Sequence, residues 1–258
     1  MQERLTKIGM RFEAAYVILA VLLLSSMSLI PRPAHPYVAI VVALLFGWAF
    51  LYRQIMTSHL LLLAIPFFLF SNLWPSGTPF FLLVPLLSYA ALTQGIPRLR
   101  RSLHWLRKGT WNGTVVWLVL ATVVVSSAAL YAWYILLRPS LSEWRNAIPT
   151  QNPAMIALAG FGFAIVNAAI EESIYRGIVM NALEAVLGRG LLSLVIQSLS
   201  FGMVHLYGIP SGWIGVAMAS VYGFMLGLVQ RHSEGLLAPF STHVAADLIV
   251  FVMVASWL

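Results

Sequence analysis

The sequence predicts an all-α integral membrane protein, a helical bundle of about eight to nine transmembrane helices. Two features of composition support this class: 60% of the 258 residues are hydrophobic and 9% are charged, whereas soluble domains carry about 25% charged residues. The third feature is the pattern, because apolar runs long enough to cross a bilayer follow one another along the chain. Cysteine is absent, which excludes disulfides, thiolate chemistry and cysteine-bound metal.

Residues 1–152 are predicted to form a set of N-terminal transmembrane helices. The first covers Phe12–Ile30. We interpret it as a retained helix, since the apolar region of a signal peptide has only about 7 to 15 residues. A second helix covers Tyr37–Tyr52. The runs His59–Trp74 and Pro79–Thr93 form two short helices or one broken hairpin, separated by a turn rich in proline and glycine.

A basic loop at 94–110 precedes a long predicted helix, Trp111–Leu137. On a nine-helix topology, the loops on the amino-terminal side hold eleven Lys/Arg and the opposite loops hold three. The positive-inside rule then puts the amino terminus and the basic loop in the cytoplasm. The expected location of the protein is the inner (plasma) membrane of a bacterium or archaeon. A re-entrant element at 59–93 would invert the later helices. The net charge of +7 is explained by these loops, so no nucleic-acid partner is predicted.

Residues 153–258 are predicted to form the second unit, which starts with a helix at Pro153. Further helices follow at Leu191–Tyr207, Ser211–Gln230 and Leu236–Leu258. The second of these repeats a small residue every four positions, which lets a neighbouring helix approach closely. These residues are Gly215, Ala219, Gly223 and Gly227.

The last helix has a second expected start, because Pro239 suits the first turn of a helix. On that interpretation Arg231–Ala238 is irregular backbone that rises into the protein and lifts His243 to the level of the other polar groups.

Two adjacent glutamates in the first helix of this unit are the strongest functional signal, because a carboxylate at the bilayer centre costs about 3 kcal/mol. Glu172 and Arg176 are four positions apart and are expected to form an ion pair. Glu171 points about 100° away from that pair and has no basic partner at helical spacing. Tyr175 lies four residues after Glu171 and either positions it or packs against its neighbours.

Two later helices carry polar groups that are expected to face the glutamates. Phe201 and His205 share one helix face, and His243 and Asp247 share another. Glu171 and His205 lie at similar distances from the turn that joins their helices, so they should lie at one level. The sequence therefore predicts a common buried site.

These residues also carry a family resemblance. The patterns EExxxR from Glu171, FxxxH from Phe201 and HxxxD from His243 occur in that order on separate apolar segments. Together they resemble the CAAX protease and bacteriocin-processing (CPBP, or Abi) family of intramembrane endopeptidases, over roughly 153–258. The family's last motif often has asparagine where this chain has Asp247.

The resemblance implies an all-α membrane fold and a glutamate-dependent peptidase. Glu171 matches the catalytic glutamate and His205 its partner, while His243 and Asp247 match the pair on the oxyanion side. The expected reaction is cleavage of a membrane-associated protein or peptide near its terminus, with water activated by Glu171 and no cofactor. Asp247 would either fix the tautomer of His243 or, if protonated, donate to the oxyanion itself.

Three alternatives remain open at this point. In the first, Glu171, His205 and His243 bind zinc, although their spacing differs from HExxH. In the second, the protein is a transporter, which also places ionisable groups inside a helical bundle. In the third, it is a scaffold that binds peptides at the membrane without cleaving them. The partners expected for an enzyme are a peptide substrate and the lipid bilayer.

Overall fold

The computed structural model describes residues 2–73, 79–103, 106–146, 148 and 152–256, and within these residues every regular element is helical. The predicted all-α class is therefore confirmed. Five segments are long and apolar enough to cross a membrane, and four shorter apolar helices accompany them in the described part. This agrees with the predicted bundle of about eight to nine helices.

The N-terminal helices match the predicted runs, except that α1 begins ten residues before the predicted Phe12 and ends five residues before the predicted Ile30. They are α1 Gln2–Ser25, α2 His35–Leu51, α3 Ile55–Phe70, α4 Pro79–Gly95 and the short α5 Pro97–Arg100. Two 3₁₀ turns, Ser26–Ser28 and Arg32–Ala34, connect α1 to α2. Helix α3 begins four residues before the predicted start, and residues 74–78 of the predicted turn lie outside the described residues.

The remaining helices carry the predicted polar segments. They are α6 Gly113–Leu137, α7 Ser142–Asn146, α8 Pro153–Glu172, α9 Met180–Leu187, α10 Leu191–Met203, α11 Gly212–Ser233 and α12 Leu237–Ala255. Residues Ser173–Val179, between α8 and α9, form a π-helical segment, so that α8 and α9 make one continuous apolar rod. The side chain of Asn152 accepts hydrogen bonds from the first backbone amides of α8, which explains why the helix begins at Pro153.

Helix α3 lies at the centre of the N-terminal half, where it packs against α1, α2 and α4. Buried His59 on α3 contacts the hydroxyls of Tyr89 and Ser102, each at 2.8 Å. This histidine therefore joins α3 to α4 and to the segment after α5. Both of its ring nitrogens are hydrogen-bonded to neutral groups.

A second buried histidine joins the start of α2 to the end of α3. His35 Nε2 lies 3.0 Å from the carbonyl oxygen of Ile30. Its Nδ1 contacts the hydroxyl of Ser71, and its ring lies edge-on to Phe68 at 5.4 Å. The 3₁₀ region between α1 and α2 is thereby held against α3.

In the C-terminal half, α8 packs against α12 and α10 packs against α11. The small-residue stripe of α11 is buried, as predicted. A Cβ atom at Gly227 would lie 2.3 Å from a methyl carbon of Leu194, and one at Gly223 would lie 2.9 Å from the ring of Phe201. Larger side chains at these positions would push α10 and α11 apart.

The start of α12 corrects one expectation. The segment Arg231–Ala238 is not irregular, because α11 continues to Ser233 and α12 already begins at Leu237. Pro239 lies in the first turn of α12, where a missing backbone N–H leaves no helical hydrogen bond unmade. The backbone carbonyls of Arg107 and Lys108 instead accept hydrogen bonds from the amides of Leu236 and Leu237, so the loop after α5 caps this helix.

Candidate active site

Glu171 and Glu172 lie at the end of α8, directly before the π-helical segment. Both are buried, with exposed fractions of 7% and 1%. A π-helical turn inside a helix often marks a functional site, because it changes the angle at which the following side chains leave the backbone. Arg176 belongs to this segment and is also buried.

The predicted ion pair of Glu172 and Arg176 is confirmed. Arg176 Nη1 donates to Glu172 Oε1 at 2.9 Å, and Nη2 donates to the carbonyl oxygen of Gly223 at 3.2 Å. The guanidinium carbon lies 4.3 Å from the ring centre of Phe201. These added contacts offset part of the cost of removing two charges from water.

His243 on α12 joins this pair. Its Nδ1 lies 2.7 Å from Glu172 Oε1, so the ring donates Nδ1–H to that carboxylate. Its Nε2 lies 3.6 Å from Glu171 Oε2 and 3.6 Å from Asp247 Oδ1. Glu172 therefore accepts the hydrogen bond that orients the ring. The sequence had suggested Asp247 as the residue that fixes the tautomer of His243.

Glu171 occupies the space between α8 and α12. The amide of Asn167 donates to Glu171 Oε1 at 3.3 Å and to Asp247 Oδ2 at 3.2 Å. Glu171 Oε2 is buried and has no hydrogen-bond partner among the described residues. A buried carboxylate oxygen without a partner is costly. Glu172 Oε2 is likewise buried without a partner among the described residues, but Glu171, and not Glu172, is among the residues that line the cavity described below.

His205 lies in a 3₁₀ turn, Val204–Tyr207, which follows α10. The predicted helix Leu191–Tyr207 is thus α-helical only to Met203. His205 Nδ1 donates to the carbonyl oxygen of Phe201 at 3.2 Å, which leaves Nε2 as the acceptor of a neutral ring. In the described part of the chain, no hydrogen bond joins His205 directly to Glu171.

Phe201 lies at the centre of an aromatic cluster next to the polar groups. Its ring lies 5.1 Å from the ring of Tyr175, 5.0 Å from His205, 5.9 Å from His243 and 6.3 Å from Tyr222. Tyr175 packs edge-on against this ring, and no hydrogen bond joins it to Glu171 within the described residues. The geometry favours the packing alternative for Tyr175.

One cavity of about 1180 Å³ connects these groups. Glu171, His205, His243 and Asp247 all line it, which agrees with the prediction of a common site. The opposite wall comes from the N-terminal half and from the region of α7. That wall includes Met27, Ile30, Arg32, His35, Phe81, Leu82, Glu143 and Trp144.

The zinc alternative requires Glu171, His205 and His243 to converge as ligands. In the part of the chain that the structure describes, no group of three or more His, Asp or Glu side chains is arranged to hold a metal ion. These three residues line one cavity, but they do not form a ligand set.

Comparison with known proteins gives a family match for the segment that carries these residues. Residues 151–249 match the family model described as Type II CAAX prenyl endopeptidase Rce1-like. The match covers the segment that resembles the CAAX protease family. No curated protein and no solved structure matches the chain. Together with the apolar helices, the match indicates an integral membrane protein with an endopeptidase domain.

The CAAX protease segment contains the three motifs from which the resemblance was inferred. The sequence analysis missed two residues next to the polar cluster, Asn167 and Tyr222. Asn167 lies four residues before Glu171, so its position on the same helix face was available as a signal. Tyr222 is on α11, and its ring lies 5.6 Å from His243. Only the tertiary packing brings it there.

Proposed function

We propose that this protein is an intramembrane endopeptidase in which Glu171 activates water to cleave a membrane-associated protein or peptide near its terminus. The observation that carries the proposal is Glu171 Oε2, a buried carboxylate oxygen without a hydrogen-bond partner among the described residues, 3.6 Å from His243 Nε2. Glu171 lines the same cavity as His205. A base and a set of donors in one water-restricted cavity are what amide hydrolysis needs.

Water, held by Glu171 and by His205 Nε2, forms a bond to the scissile carbonyl carbon while one of its protons passes to Glu171. The carbonyl oxygen becomes the oxyanion of a tetrahedral intermediate. Glu171 then returns the proton to the amide nitrogen, and the C–N bond breaks to give an acid and an amine.

His243 stabilises the oxyanion in this mechanism. Because its Nδ1–H is donated to Glu172, the ring can donate a second hydrogen bond from Nε2 only as an imidazolium. Arg176 forms an ion pair with Glu172 and holds it in position, so that Glu172 accepts the Nδ1–H of His243 and orients the ring. Asp247, at 3.6 Å from the same nitrogen, limits where the oxyanion can lie.

The substrate is proposed to enter the cavity from the membrane. The cavity wall around the polar cluster is largely apolar and includes Phe163, Val250 and Phe251. An apolar peptide, a sorting tail or a peptide that carries a lipid suits such a wall, because burial of apolar surface stabilises binding by about 25 cal/mol per Å².

The test compares cells that carry the wild-type protein with cells that carry Glu171→Gln, by proteomics of membrane and secreted fractions. We expect one terminus to shift in wild-type cells only, and purified wild-type protein to cleave the corresponding peptide. Glu143→Gln is the matched control, since Glu143 also lines the cavity but is exposed and lies outside the polar cluster. Identical termini with wild type and Glu171→Gln would favour a transporter or a scaffold.

A second experiment addresses the zinc alternative. Active protein is dialysed against a chelator, and its metal content is measured. We expect no stoichiometric zinc and full activity after dialysis. Loss of activity that added zinc restores would support a metalloprotease instead.

A further inference from the structure

We propose that Asn167 is a positioning residue that holds Glu171 and Asp247 in the geometry used for catalysis. This inference rests on the proposed function. It goes beyond that function because Asn167 lies outside the three motifs and has no role in the proposed reaction.

The side-chain amide of Asn167 is hydrogen-bonded to two carboxylates. Asn167 Nδ2 lies 3.3 Å from Glu171 Oε1 and 3.2 Å from Asp247 Oδ2. An amide nitrogen carries two hydrogens, so it can donate one to each carboxylate at the same time. The amide oxygen could not replace it, since both partners are acceptors when ionised.

These hydrogen bonds also orient the carboxylate oxygens that Asn167 does not contact. With Oε1 of Glu171 and Oδ2 of Asp247 held by Asn167, the other oxygen of each carboxylate lies 3.6 Å from His243 Nε2. Rotation of either carboxylate would break its bond to Asn167. Asn167 therefore fixes the orientation of the Glu171 carboxylate, with one oxygen bonded to the amide and the other directed towards the imidazole.

Asn167 also offsets part of the repulsion between the carboxylates of Glu171 and Asp247. Two carboxylates that share one site repel each other, and a donor to both offsets part of that repulsion. Other charged or titratable groups surround Glu171: His243 from α12, Glu172, Tyr175 and Arg176 from its own rod, Tyr222 from α11, and His205 across the cavity. Arg176 is engaged by Glu172 and Gly223, so Asn167 is the neutral donor that serves Glu171 directly.

The experiment uses the full-length protein in detergent and compares Asn167→Ala and Asn167→Asp with wild type. Ser173→Ala is the matched control, because Ser173 lies on the same rod and its hydroxyl donates only to the carbonyl oxygen of Ala169. Two readouts are measured. One is the kcat and KM for the cleaved peptide. The other is the pH dependence of Glu171 labelling by dicyclohexylcarbodiimide, which modifies protonated carboxyl groups.

For Asn167→Ala we expect kcat to fall about 10- to 100-fold, the effect of losing a hydrogen bond to a charged group, while KM stays near the wild-type value. Labelling of Glu171 should extend to higher pH, because its ionised form has lost a donor. Asn167→Asp should extend labelling further, since it adds a third carboxyl group. This variant keeps the shape of the side chain and decides the matter if Asn167→Ala does not fold.

Three results separate this inference from its rivals. Labelling and kcat that match Ser173→Ala would overturn it. A raised KM with unchanged kcat would make Asn167 a substrate-binding residue and would also overturn it. If wild-type protein cleaves no peptide but labelling shifts as expected, the positioning geometry stands and the proposed protease function fails.

Discussion

The two halves of the chain bury histidine in opposite ways. In the N-terminal half, His35 and His59 each have both ring nitrogens bonded to hydroxyl or carbonyl oxygens. In the C-terminal half, His205 and His243 are each hydrogen-bonded through Nδ1, and their rings line the cavity. His243 also has carboxylates on both sides of its ring.

This difference separates a structural histidine from one that is available for chemistry. A neutral imidazole has one donor and one acceptor, so a ring with two neutral partners has no capacity left for a substrate. A ring anchored at one nitrogen keeps its orientation and can still exchange a proton at the other. Burial alone does not distinguish a structural histidine from one that is available for chemistry. The hydrogen bonding of the second ring nitrogen does.

The largest effect is expected when the buried charge of the C-terminal half is broken. Arg176→Ala or Glu172→Gln leaves an uncompensated charge, which should lower the free energy of unfolding by about 3 to 5 kcal/mol and remove activity with it. Thermal and denaturant unfolding in detergent measure the loss. Arg189→Ala is the control, since its pair with Glu234 is exposed and should contribute at most about 1 kcal/mol. A stable but inactive Arg176→Ala would show that Arg176 takes part in catalysis or in substrate binding.

The next effect tests the histidine comparison directly. His205→Ala should lower kcat about 10²- to 10⁴-fold with nearly unchanged stability, because its Nε2 is proposed to hold the attacking water. His59→Ala should do the reverse. It removes the two buried hydrogen bonds to Tyr89 and Ser102, which lowers the free energy of unfolding by about 1 to 3 kcal/mol while the folded fraction keeps its kcat. Equal losses of kcat in both variants would remove the distinction between the two halves.

Local rules were sufficient for much of the fold. Long apolar runs predicted the helices, since a helix satisfies its backbone polar groups within one segment, as a bilayer requires. Four-residue spacing predicted the pair of Glu172 and Arg176, and the small-residue stripe predicted close packing of α11. Each of these depends on neighbours within one helix or on composition.

The parts that were missed depend on contacts between distant segments. Glu172 and His243 are 71 residues apart, so spacing could not show that they bond. The cavity wall from Met27 to Arg32 comes from a region with no motif. Pro239 was misjudged because a proline tolerated in the first turn does not fix which residue begins the helix. The start of α12 is set by the loop at Arg107, far away in sequence.

The finest test asks whether the C-terminal half needs the charge of Asp247 or only its hydrogen-bonding geometry. Asp247→Asn keeps an oxygen that can accept from Asn167 and adds an N–H donor on the side of His243 Nε2. We expect its kcat to stay within about tenfold of wild type, because the amide oxygen still accepts the hydrogen bond from Asn167 and the amide nitrogen supplies a donor. The acid limb of the pH–rate profile should move to lower pH, since Glu171 then ionises beside one carboxylate fewer.

Asp247→Ala is the matched variant, and it should be slower than Asp247→Asn by about tenfold or more, because it leaves an Asn167 hydrogen without an acceptor and offers no donor. Substantial activity in Asp247→Asn but not in Asp247→Ala would mean that hydrogen bonding at this position is what the reaction uses. The asparagine common at this motif position would then be an equivalent solution. Comparable collapse of both variants, with folding retained, would mean instead that an ionised Asp247 is required to keep His243 positively charged. In that case the cluster would work as a charged unit of three carboxylates around one imidazolium, and the role of oxyanion donor would belong to His243 alone.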